Sequence, residues 1–142
     1  MDLSAEMLAE ADAKACYAQL ICGDLHDSTL LPVKSLGGLV CVGTLLLPNH
    51  VVQGSVLRTW LEWLRPGAVC VFSVRTDQWH HHSMEGDKLP AVAHSLEQEG
   101  RWRLIEVTEP KPYTPLVTGD GILFSLRTYV VAQHSSRNGR TP

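Results

Sequence analysis

Two segments decide the fold: 102–109, WRLIEVTE, and 122–133, ILFSLRTYVVAQ. Both are rich in β-branched, aromatic and apolar residues, as strands are. Only a Pro-rich loop, 110–121, joins them. With no helix between them, the two strands are expected to pair antiparallel.

Upstream, the pattern is different. GLVCVGTLL (38–46) and AVCVFSVR (68–75) are nearly unbroken apolar runs, the pattern of strands buried on both faces. Between them, Val52, Val56, Leu57, Trp60, Leu61 and Leu64 recur at helical spacing over 49–64. Arg65-Pro66-Gly67 then reads as a helix stop, with Gly67 suited to a left-handed cap. A polar loop, 76–88, precedes a helix near 89–99 that carries Leu89, Val92, Ala93 and Leu96 on one side. At the start of the chain, Ser4 is a helix N-cap, Glu6 suits the first turn, and Met7, Leu8, Ala11 and Ala15 form an apolar stripe. YAQLICGDL (17–25) follows as a further short strand. Strands separated by helices require right-handed crossovers and a parallel sheet. The expected strands therefore lie near 17–23, 38–46, 68–75, 102–109 and 122–132. The fold class is α/β, a Rossmann-like sheet that is mainly parallel with an antiparallel last strand.

Composition narrows the function classes. At 142 residues and 44% hydrophobic content, the chain suits one domain with a core. A net charge of −3 and a sequence pI near 6.1 leave no basic footprint for nucleic acid or an acidic membrane surface. No apolar run approaches the ~18 residues of a membrane helix. Cys16, Cys22, Cys41 and Cys70 sit in or beside apolar runs without a CxxC pair, so buried free thiols are expected, in cytosol or nucleus.

In order and spacing the pieces resemble the class I S-adenosylmethionine-dependent methyltransferases, over roughly residues 2–132. DLSAEMLAEA (2–11) resembles the end of that fold's second strand and the helix after it. YAQLICGDL resembles the third strand, LVCVGTLL (39–46) the fourth, and LRTWLEWLRPGAVCVFSVR (57–75) the next helix, its turn and the fifth strand. The resemblance implies S-adenosylmethionine as cofactor. It makes Asp2, Leu3, Met7, Asp24, Leu25 and Gly43 cofactor-binding residues, with Asp2 on the ribose hydroxyls and Asp24 on the adenine amino group. Leu25 and Met7 would offer apolar faces to the ring. Residues of this kind belong outside the carboxyl ends of parallel strands, where open α/β sheets bind ligands.

It also implies a gap. The family's first strand and Gly-rich loop would precede Asp2, and no G-x-G motif between a strand and a helix occurs in these residues. The chain is accordingly expected to be a methyltransferase domain over 1–133 that is either N-terminally truncated or a degenerate member of the family, with a disordered polar tail over 134–142. Where the family usually carries Phe-Asp before its fourth strand, this chain has Leu36-Gly37-Gly38.

The methyl acceptor is expected to be a small molecule or a protein, and Thr44, His50, Trp79 and His81 are its candidate contacts. No catalytic acid–base pair is assigned, because methyl transfer needs chiefly alignment. His80-His81-His82 are adjacent and point in different directions, so no metal site is expected. Trp60 is expected in the core, Trp63 partly exposed, and Trp102 packed at a strand start. A non-catalytic domain acting in protein association is the alternative function.

Overall fold

The computed structural model describes residues 1–45, 53–81, 86–112 and 123–133. Helix α1 spans Ala5–Ala13, capped by Ser4, whose Oγ accepts from the Met7 N–H at 3.2 Å. Strand β1 covers Leu36–Cys41, α2 Val56–Trp63, β2 Leu64–Arg75 and α3 Thr76–His81. Helix α4 (Leu89–Gln98), β3 (Trp102–Val107), the short β4 (Lys111–Pro112) and β5 (Leu123–Val131) complete the described elements.

The sheet runs β1-β2-β5-β3, with β4 also on β5. The β1–β2 pair is parallel, while β2–β5, β3–β5 and β4–β5 are antiparallel. Every named strand but β5 therefore points the same way, the arrangement that the two C-terminal segments imply. Register is set by burial: Ala68, Cys70, Phe72 and Val74 alternate inward along β2, toward the apolar stripes of α2 and α4. Phe72 stacks on Tyr129 at 5.5 Å between ring centroids, and Tyr129 on Trp102 at 4.2 Å. The Trp102 indole donates to the Ala93 carbonyl at 3.0 Å, which fixes α4 to the start of β3. Helices α2 and α4 meet over Gly54, where a Cβ would stand 2.7 Å from the Lys88 carbonyl oxygen.

Several expectations need correction. The segment 17–23 forms only one parallel bridge, Cys22 to Asp2, because no further paired residues extend it. The first apolar run enters its strand at Leu36 and leaves it at Cys41, so Val42 to Leu45 are not strand. Arg65-Pro66-Gly67 does not stop the helix before a turn: α2 passes directly into β2 at Leu64, and Gly67 sits inside the strand at φ +81°. Leu36 pairs with Leu64 and Gly38 with Val69, so the extra residues of β2 bulge there, and the Arg65 guanidinium lies over Gly37. Residues 76–81 are helix rather than loop. Trp63 is buried, its indole donating to the Ser28 carbonyl at 3.0 Å. Cys41 and Cys70 are buried free thiols, but Cys16 and Cys22 are exposed. The tail 134–142 lies outside the described residues.

Candidate functional site

Asp2 and Asp24 are brought together by the bridge. The Asp2 N–H donates to the Ile21 carbonyl at 3.1 Å, and the Gly23 N–H donates to the Asp2 carbonyl at 3.0 Å. Asp24 thus follows a backbone directly paired with that of Asp2. Each carboxylate uses one oxygen to shape its own turn. Asp2 Oδ1 accepts from the Ser4 N–H at 2.9 Å, setting the approach to α1. Asp24 Oδ1 accepts from the His26 N–H at 2.9 Å and lies 3.0 Å from the His26 ring Nδ1. The His26 backbone N–H, then its ring, hold the Asp24 carboxyl below the usual carboxylate range. The second oxygen, Oδ2, of each aspartate takes no hydrogen bond among the described residues. A carboxylate offers about four acceptor positions, so both retain capacity for a ligand's hydroxyl or amino hydrogens.

A cleft of about 350 Å3 opens between Asp2 and the outer edge of β1. Leu25, Val42 and Thr44 line it at the carboxyl end of the strand, and Trp60 and Trp63 line it from α2. Asp24 is not part of its lining. Gly43 adopts φ +78° between Val42 and Thr44, and its N–H donates to Ser73 Oγ at 2.8 Å, tying the end of β1 to β2. A larger depression, about 670 Å3, lies by Trp102, Arg103 and Gln133 at the opposite end of the sheet. It lacks the paired carboxylates, and the carboxyl ends of parallel strands are where such sheets hold ligands.

The remaining candidates fall elsewhere. Leu3 is 69% exposed and lines neither cavity. Met7 is 59% exposed and borders a separate depression with Asp2, Leu8 and Tyr17. Trp79 sits in α3, half-buried under the Arg127 guanidinium at 3.9 Å from the ring centroid. That cation–π contact gives it a packing partner. His81 ends α3, and His50 lies outside the described residues. No group of three potential metal ligands occurs among the described residues. No described helix is long and apolar enough to cross a membrane. Trp60, Trp63 and the Ser73–Gly43 bond are parts of the site that sequence reasoning missed. A lone serine inside the apolar run AVCVFSVR was the available signal for Ser73.

Structural comparison identifies the architecture. A Listeria monocytogenes protein assigned as an S-adenosylmethionine-dependent methyltransferase superposes with a TM-score of 0.65 at 13% identity, over 92% of this chain and 78% of its own. An S-adenosylmethionine-dependent methyltransferase from Methanosarcina mazei gives 0.63 at 12% identity, over 92% and 80%. A Bacillus halodurans protein assigned as a methyltransferase gives 0.59 at 13%, over 93% and 81%. The fold is that of the class I methyltransferases. No protein-family model matches the chain, and no curated protein sequence does.

Proposed function

We propose that this chain is the cofactor- and acceptor-facing part of an S-adenosylmethionine-dependent methyltransferase domain. The observation that carries the reading is the pairing of Asp2 with the segment that ends in Asp24. It leaves two carboxylates, each with a free oxygen, at the end of paired parallel backbone. Asp2 would accept from the ribose hydroxyls and Asp24 from the adenine amino group. Leu25 and the Trp60–Trp63 wall would exclude water from the ring. The cofactor supplies a methyl group on a sulfonium. The residues present fit its adenosine end, and their part is to hold and orient it, since alignment alone contributes several kcal/mol.

Ser4-x-Glu6-Met7-Leu8, Leu64-Arg65-Pro66-Gly67, FSVR (72–75) and GRWRLIEVTEPKPY (100–113) are similar to one subgroup, methyltransferase-like protein 27. The acceptor in this reading is a small molecule or a protein, and the compartment is cytosol or nucleus. Because β1 has no strand on its outer edge among the described residues, the 142-residue chain by itself should hold the cofactor weakly. A strand and Gly-rich loop placed before residue 2 should tighten binding.

Titration with S-adenosylhomocysteine, read by tryptophan fluorescence because Trp60 and Trp63 line the cleft, tests the reading. Weak saturable quenching that strengthens in the extended chain supports it. No binding by either form contradicts it. The alternative, a non-catalytic domain for protein association, is favoured by one observation: Val40, on the edge strand that has no outer partner among the described residues, is 74% exposed.

A further inference from the structure

Strands β1 and β2 are apolar at successive positions, through Leu39-Val40-Cys41 and Val69-Cys70-Val71-Phe72. A sheet with one solvated face alternates apolar and polar residues, whereas unbroken runs belong to strands covered on both faces. Among the described residues, α2, α3 and α4 cover one face. Phe72 meets Trp60 of α2 and Trp79 of α3 there, and Trp102 bonds Ala93 of α4. Helix α1 has no buried residue. The opposite face carries Val40, 74% exposed, with Val69 and Leu126 at 39% and 36%.

The register builds that opposite face in rows. Gly38, Val69, Val130 and Arg103 lie side by side across β1, β2, β5 and β3. Val40, Val71, Thr128 and Glu106 form the next row. The two rows complement each other. At the β1 end, a glycine without a side chain stands beside an exposed valine. At the β3 end, an exposed cation stands beside an exposed anion, and neither forms an ion pair among the described residues.

We infer that a second copy of this chain packs on this face, about a two-fold axis that crosses the strands between the two rows. That axis sets each row against the opposite row of the other copy. Arg103 meets the partner subunit's Glu106, Val69 meets the partner subunit's Val71, and Val40 enters the hollow over the partner subunit's Gly38. Such a contact uses one patch twice and closes on itself. Aligned sheets pack face to face about 10 Å apart with their side chains interdigitated. The charge pairs lie at the rim, where they fix register and orientation. The inference goes beyond the methyltransferase reading, which stands or falls on S-adenosylhomocysteine binding alone.

Sedimentation velocity of the 142-residue chain over a concentration series tests it. The expected result is a monomer–dimer equilibrium. Arg103→Glu and Glu106→Arg should each weaken it about tenfold, because each places two like-charge contacts in the dimer. The double variant Arg103→Glu with Glu106→Arg should restore it. Both residues are exposed, so the substitutions leave folding intact. Gly38→Val should also weaken the dimer by filling the hollow. The strand accepts that change, since a Cβ there meets nothing closer than the Val69 carbonyl oxygen at 3.4 Å. A chain that stays monomeric at every concentration overturns the inference and assigns the face to a different occupant. Association that ignores both charge reversals, or that Gly38→Val strengthens, also overturns it, because the contact would then lie elsewhere or lack the proposed register.

Discussion

Trp102 joins α4, β3 and β5 through one side chain, with an indole hydrogen bond to Ala93 and a ring stacked on Tyr129. Trp102→Ala should cost about 3–5 kcal/mol, because the cavity it leaves lies between packed elements. Trp102→Phe keeps the ring stack, loses the hydrogen bond, and should cost about 1–2 kcal/mol. Urea unfolding of the two variants checks the order; equal losses would mean that the ring packing adds nothing beyond the indole bond, and no loss in Trp102→Phe would mean the bond contributes nothing. A second residue-scale expectation concerns Glu99. The Arg58 guanidinium, and after it the Ser95 hydroxyl, bring its carboxyl down to about 2. The folded value lies below the ordinary 4.5, so the pair stabilises the fold above pH 4.5 and the contribution fades as pH falls toward 2. In a carboxyl-resolved NMR titration, Arg58→Gln should return the Glu99 midpoint toward 4.5. An unmoved midpoint would place the cause elsewhere.

At the scale of elements, β1 is the exposed weakness. Its outer edge has no partner among the described residues, and Val40 and Val42 are 74% and 50% exposed. Unpaired apolar edges promote strand-to-strand association, and a lysine blunts them. Val40→Lys should therefore lower concentration-dependent association in sedimentation velocity, with stability changed by no more than about 0.5 kcal/mol. Association that persists unchanged would point to another surface, such as the face carrying Val69 and Leu126, 39% and 36% exposed. The strands β2, β3 and β5 were legible from sequence because each combines length, β-branched residues and a partner that buries one face. The segment 17–23 was not, since apolar content alone does not provide a second strand to pair with. Helix α3 was hidden because TDQWHH has no apolar stripe. Its anchor is Trp79, held by a cation–π contact with Arg127 from a distant strand. Gly67 misled for a related reason: its positive φ is real, but it serves a bulge in β2 rather than a helix cap.

For the whole molecule, the expected site is partly visible in the sequence. Asp2, Leu25 and Thr44 share one cleft, and Asp24 adjoins it through the bridge. Leu3 and Met7 do not join them, since the turn built by Asp2 and Ser4 carries α1 outward with both side chains exposed. Sequence order locates residues after strands, but turn geometry decides which of them face the cleft. The central claim is that this cleft holds the adenosine end of the cofactor. The direct measurement is an amide-shift titration of the labelled 142-residue chain with S-adenosylhomocysteine, repeated after Asp2→Asn and Asp24→Asn. The expected result is saturable shifts centred on Asp2, Leu25 and Thr44, with a Kd on the order of 1 mM, or about −4 kcal/mol, weakened further by either substitution. Shifts that centre elsewhere, that fail to saturate, or that survive both substitutions unchanged would contradict the claim.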